Sequence, residues 1–122
     1  MKVLFILNHP PYGTEHCFNA LRLAGAMAKR SPETQLTVFL MADSVLCAKA
    51  SQRTPDGYYN IERMLKHILT GGGQVLLCGV CMDARGLAEG DILERAGEVR
   101  WTSLPGKRSR RTKSWYSDAC LS

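Results

Sequence analysis

An α/β fold on a parallel sheet is what this sequence predicts, and three observations carry the prediction. The runs "VLFIL", "QLTVFLM" and "QVLLC" are apolar at nearly every position, as strands buried on both faces require. Between them lie stretches whose apolar residues recur at helical spacing. The resulting order, strand–helix–strand–helix–strand, calls for parallel pairing through right-handed crossovers. At 122 residues, 45% of them hydrophobic, the chain has room for one buried core.

The first strand is Val3 to Leu7, stopped by the turn-forming "NHPPYG". Thr14 is placed to cap the helix that follows. From Cys17 to Lys29, Ala20, Leu21, Ala24, Met27 and Ala28 fall on one stripe. "SPET" breaks that helix, and the second strand runs from Gln35 to Met41. Asp43 then caps a short helix, "SVLCAKA". A polar loop with Pro55 and Gly57 in turn positions leads to a third helix over Asn60 to Leu69, with Ile61, Met64, Leu65 and Ile68 as its apolar face. "TGGG" ends it, and "QVLLC" is the third strand. Past Leu87 the pattern fades. "AEGDILERA" allows one or two helical turns, and nothing beyond it has helical or alternating periodicity.

Charge divides the chain in the same place. The whole sequence has 16 Lys and Arg against 11 Asp and Glu, a net +5, whereas Met1 to Glu94 holds nine of each. All of the excess lies in residues 95–122, so it says nothing about a ligand for the body. No apolar run is long enough to span a bilayer, and "NHPPYG" interrupts the opening run where a signal peptide would continue. A cytoplasmic protein with no membrane contact is expected. Five cysteines, an odd number, suit a reducing compartment better than a disulfide framework.

The chemistry concentrates in "VLLCGVCMDARGL". Ligands and reactive groups gather at the carboxyl ends of strands in open α/β sheets, and Cys78 ends the third strand. Gly79 permits a tight exit, Cys81 falls near the first turn of the next helix, and Arg85 lies four residues further on. Exposed amides, a helix N-terminus and a guanidinium would each favour a thiolate. Three rivals remain open. Cys78 alone, without its context, reads better as a small inert core residue. A zinc site has only two of its four ligands here, unless His9, His16, Cys17 or Cys47 converge in space. A thioredoxin-like dithiol has this spacing but belongs earlier in its fold. The first loop, with His9, Tyr12, Gly13 and Thr14, lacks a phosphate-binding glycine pattern and reads as a rigid pocket wall. Cys17 and Cys47 are expected in the core.

Together "PPYGTE", "FNALRLAGAM", "FLMADSVLCAKA" and "CGVCMDARGL" resemble the small DsrE-type proteins, a sulfur-relay group that includes the YchN-like proteins. The resemblance spans Lys2 to about Glu94. It implies a three-layer α/β/α sandwich on a five-stranded parallel sheet, and assembly as trimers or hexamers with the active cysteines near subunit contacts. It also implies no cofactor. The family's sulfur-carrying cysteine falls on Cys78, with Cys81 as an additional thiol and Gly79, Arg85 and Gly86 in supporting places. The activity implied is transfer of sulfane sulfur between donor and acceptor proteins through a Cys78 persulfide. Two alternatives stand beside it: a non-catalytic oligomeric module binding a small anionic ligand, and a redox or metal site at the two cysteines.

The resemblance stops where the charge changes. Residues 1–94 are thus read as the domain and 95–122 as an atypical basic tail. For "GKRSRRTK", flanked by Trp101 and Trp115, a solvated charge run is preferred to an RNA contact, and Cys120 is an incidental thiol. Synonymous codons from Arg100 onward permit a shifted frame encoding an acidic amphipathic helix and then an apolar strand. The hypothesis is that one base was lost near the codons for Arg95 to Gly97. Sequencing that stretch of DNA tests it: codons that cannot encode the shifted peptide would end the idea.

Overall fold

In a computed structural model, which describes residues 1–100 and the backbone of Ala119–Leu121, the chain folds around a five-stranded sheet ordered β4-β3-β2-β1-β5. The three strands read from sequence are β1 (Lys2–Leu7), β2 (Gln35–Leu40) and β3 (Gln74–Cys78). β4 (Gly97–Val99) pairs with β3, β5 (Ala119–Leu121) pairs with β1, and every pairing is parallel. Both outer strands fall in the segment read as an atypical basic tail. Each is only three residues long, too short to leave a periodic signal. The charged run 107–113, Trp101, Trp115 and the side chain of Cys120 lie outside the described residues.

Two helices cover one face. α1 (His16–Arg30) buries Cys17, Leu21 and Ala24, and α2 (Ile61–Thr70) buries Ile61, Leu65, Ile68 and Leu69. They close over Val3, Phe5, Leu7, Leu36, Val38, Leu40, Val75 and Leu77, the inward-pointing residues of the three central strands. The alternate residues form a second cluster on the opposite face, where Leu4, Phe39 and Cys78 are buried and Ile6, Met41, Leu76 and Val99 pack beside them. Parity along β3 thus puts Cys78 on the face away from α1 and α2. The third layer implied by the resemblance lies outside the described residues.

Helix ends account for several sequence signals. Asn60 caps α2, its side-chain oxygen accepting from the Arg63 N–H at 3.0 Å. At the other end of α2 the Gly72 N–H donates to the Leu69 carbonyl and the Gly73 N–H to the Ile68 carbonyl, with Gly72 at φ +94°, a Schellman closure. A Cβ on Gly73 would lie 2.6 Å from Ile68 Cγ2, so the glycine run is needed for closeness as well as for φ. Two expected caps differ. Glu15, not Thr14, is the N-cap of α1, and Thr14 Oγ1 accepts from the His16 N–H at a long 3.4 Å. The segment after β2 is a 3-10 helix over Ala42–Ala48 that begins before Asp43, leaving the Asp43 carboxylate to make a distant ion pair.

Ser44 ties this corner down. It is fully buried, and its hydroxyl is shared between the Leu7 carbonyl at 2.5 Å and the Met41 carbonyl at 2.6 Å, so one proton joins the ends of β1 and β2. "AEGDILERA" makes a single 3-10 turn at Glu89–Asp91. The chain then runs extended, with the Leu93 N–H donating to the Ala48 carbonyl and the Ala50 N–H to the Asp91 carbonyl. Replacing Ser44 by Ala removes this donor, while the Leu7 and Met41 carbonyls keep the Met41 and Ser44 amides. It should lower unfolding free energy by about 0.5–1.5 kcal/mol, read as a shift in the urea midpoint at unchanged slope.

Candidate functional site

The parallel register brings the exits of β2 and β3 together. Leu40 is paired with Leu77, so Met41 and Ala42 leave the sheet beside Cys78. Cys78 has extended backbone at the end of its strand and is the N-cap of α3 (Gly79–Ala84). Its side chain is 4% exposed, packed with Leu4 and Phe39. Cys81, three residues on, is partly buried, and Val80 between them is 56% exposed.

The donor at Cys81 comes from an unexpected place. The Ala42 backbone N–H donates to Cys81 Sγ at 3.2 Å, from the end of β2 rather than from α3. Ala42 adopts φ +50°, a left-handed conformation that alanine rarely takes, and this is what turns its amide toward the thiol. Nothing in "FLMADSV" marks that turn. α3 itself is only six residues long and supplies little dipole.

Arg85 meets the pair differently from the expectation. Its Nε donates to Asp43 Oδ1 at 2.9 Å, a terminal nitrogen lies 2.8 Å from the same carboxylate, and the other terminal nitrogen donates to the Cys81 carbonyl at 3.0 Å. The guanidinium therefore braces the backbone of α3, and much of its charge is met by Asp43. Burial and the adjacent Cys78 thiol push the Cys81 thiol above the ordinary range; the Ala42 amide and the Arg85 charge pull the other way and are outweighed. The sequence expectation of a lowered pKa is thus reversed at Cys81, because desolvation outweighs the Ala42 amide and the Arg85 charge.

The two glycines of the motif have structural work to do. Gly86, at φ +68°, closes α3: its N–H donates to the Asp83 carbonyl, and the Leu87 N–H donates to the Met82 carbonyl. Buried Leu87 and Met82 supply the apolar contact that accompanies such an end. Gly79 makes room for Arg100, whose side chain would lie 3.0 Å from a Cβ at that position. Arg100 is held by Asp83 at 3.0 and 3.3 Å and by Glu98 at 3.3 Å. Sequence reasoning missed Ala42, Asp43 and Arg100 as parts of this site. Arg100 had been set aside with the tail, although its pairing partner Glu98 lies only two residues before it.

His9, Tyr12, Gly13 and Thr14 form a separate group. The Tyr12 hydroxyl donates to Gln52 Oε1 at 2.6 Å and accepts from the Ile61 N–H at 3.0 Å, and its ring stacks on Tyr59 at 5.7 Å. His9 stacks on His16 at 3.9 Å, and Gly13 turns the loop at φ +95°. Buried Cys17 donates to the His9 carbonyl at 3.1 Å and interacts with Cys47, whose thiol is pushed up by that neighbour and by burial. Among the described residues no hydrogen bond or ring contact joins this loop to Cys78 or Cys81, and no three His, Cys, Asp or Glu side chains are grouped to hold a metal ion.

Comparison with known proteins places this geometry. The DsrE/DsrF-like family matches residues 1–106. The chain belongs to the DsrE/DsrF-like family. That match continues past Glu94, where sequence reasoning ended the domain, and takes in β4. YchN of Escherichia coli strain K12 is 38% identical over 87 residues, 71% of this chain and 74% of YchN. An uncharacterized protein of Methanocaldococcus jannaschii is 35% identical over 96 residues, 79% of this chain and 82% of that one. The crystal structure of the E. coli YchN protein superposes at a TM-score of 0.84 with 30% identity, covering 98% of this chain and 97% of that one. A protein of unknown function from Methanobacterium thermoautotrophicum, at TM-score 0.67 and 12% identity over 80% of each chain, shares the fold. The family is associated with sulfur relay in general. Among the described residues no helix is long and apolar enough to cross a membrane.

The electrostatic balance at Cys81 gives a test. Its alkylation by iodoacetamide should rise with pH along a curve displaced above that of free cysteine, because only the thiolate reacts. Arg85→Ala removes a cation and leaves Asp43 uncompensated, both of which raise the thiol further. Alkylation at pH 8 should slow by roughly two- to threefold, and Arg85→Lys should restore part of the loss.

Proposed function

We propose that this protein is a sulfur carrier that moves sulfane sulfur through a persulfide on Cys78. The observation that carries the reading is the placement of Cys78 at the carboxyl end of β3, with Cys81 and its Ala42 donor beside it, in a chain of the DsrE/DsrF-like family. A Cys78 thiolate attacks the terminal sulfur of a donor persulfide. The donor thiolate leaves, and Cys78 holds Cys–S–SH. An acceptor thiolate then attacks the outer sulfur, and Cys78 leaves as a thiolate ready for the next cycle.

Such a site needs a polarised, enclosed sulfur more than an acid–base triad, since each step exchanges one thiolate for another. Val80, exposed between the two cysteines, offers an apolar contact for a partner protein presenting its own cysteine. Because Cys78 itself is 4% exposed, transfer requires the segment around Val80 to open when donor or acceptor docks. Assembly into a homo-oligomer belongs to the same reading. Light scattering at micromolar concentration reports it, and a monomer would remove that part.

The burial of Cys78 favours one other reading, an inert core thiol in a family member that binds without catalysing. Mass spectrometry separates the two. After exposure to a small-molecule persulfide donor, the peptide containing Cys78 should gain one sulfur atom that cyanide removes, and Cys78→Ser should abolish the gain. An unmodified Cys78 peptide in folded protein would favour the non-catalytic reading.

A further inference from the structure

The carrier reading uses Cys78 and leaves Cys81 without a step, yet the fold places the two thiols as a pair. Cys78 is the N-cap of α3 and Cys81 its third residue. Side chains at these two positions face one another across the first turn, the arrangement by which a capping box closes. Residues three apart on a helical turn have Cα atoms about 5 Å apart, inside the 4.4–6.8 Å span of disulfides. Cys81 packs against the buried cluster that contains Cys78, and its sulfur is fixed in place by the Ala42 N–H at 3.2 Å. The Arg85 bond to the Cys81 carbonyl holds that part of the backbone from the other side.

We infer that Cys81 is a resolving thiol, which discharges a Cys78 persulfide as sulfide when no acceptor arrives. The inference rests on the carrier reading. Cys81 sulfur, as the thiolate, attacks Cys78 Sγ; the Cys78–Cys81 bond forms as the bond to the outer sulfur breaks. The electron pair of the broken bond leaves with that sulfur as hydrosulfide. The sulfane sulfur is reduced to sulfide, and the two cysteines are oxidised together to a disulfide. No outside oxidant takes part. A dithiol reductant returns the pair to two thiols and makes the reaction catalytic.

Two nucleophiles therefore compete for one persulfide at different atoms. An external acceptor takes the outer sulfur and keeps it at the sulfane level, whereas Cys81 attacks the inner one and releases sulfide. Burial, by holding Cys81 protonated, slows the internal route and gives the loaded protein a lifetime in which an acceptor can dock.

The test uses the full chain, reduced, loaded with inorganic polysulfide and then freed of it. Released sulfide and the mass of the peptide spanning Cys78 and Cys81 are followed with time. Wild type should first gain one sulfur, then lose it with one sulfide per chain and end two hydrogens lighter than the reduced form. Cys81→Ser, with Cys81→Ala in parallel to cover a folding defect, should keep the added sulfur and release sulfide at least tenfold more slowly. If wild type holds its sulfur as long as the variants do, the resolving role is overturned and the carrier reading stands. If neither wild type nor variants take up sulfur, both fall together.

Discussion

The in-register parallel pairing of β1, β2 and β3 is the constraint on which the site depends. Lys2 to Leu7 lie against Gln35 to Leu40, and Thr37 to Leu40 lie against Gln74 to Leu77, so the three strands end along one line. A shift of one residue would turn every side chain to the other face. It would bring Cys78 into the α1–α2 core and carry Ala42 away from Cys81. The shared Ser44 hydroxyl reinforces that line by holding the Leu7 carbonyl at the end of β1 and the Met41 carbonyl just past β2 to one proton. The site is thus a property of the sheet edge before it is a property of the cysteines.

Polarity at that edge comes chiefly from main-chain geometry. The Ala42 amide is aimed at Cys81 by a strained backbone torsion, whereas the guanidinium expected to do this work is turned onto Asp43 and the Cys81 carbonyl. A fixed amide in a partly buried corner costs no reorganisation when the sulfur changes charge, while a long side chain in water is screened. This division explains how one thiol can sit beside an amide and a cation and still be harder to ionise than a free cysteine. Desolvation is the larger effect.

The first loop is fastened into the fold by its aromatic residues. Tyr12 reaches Gln52 and the first amide of α2, and Tyr59 stacks on Tyr12 and on Phe18, the latter at 4.2 Å. These contacts fasten the loop to α1 and α2. Buried Glu62 does the same for the 50s loop, accepting from the amides of Ser51 and Gln52 at 3.1 and 2.8 Å. These residues stitch neighbouring connections together, and the β2–β3 corner is the place where Cys78, Cys81, the Ala42 amide and the Asp43–Arg85 pair meet.

Unbroken apolar runs, helical stripes and glycine punctuation were sufficient to read β1, β2, β3, α1, α2 and the placement of Cys78 from the chain itself, because each is set by neighbours in sequence. The "RG" of the motif was legible as a feature but not as a cause: only the α3 closure shows Gly86 ending a helix and Arg85 bracing one. β4 and β5 escaped because three-residue strands are made by the sheet edge they join, not by their own pattern. The Ala42 donor, the Asp43–Arg85 pair and the elevated Cys81 thiol escaped for a related reason. They join positions some forty residues apart, and burial and distance between such positions exist only once the strands have paired.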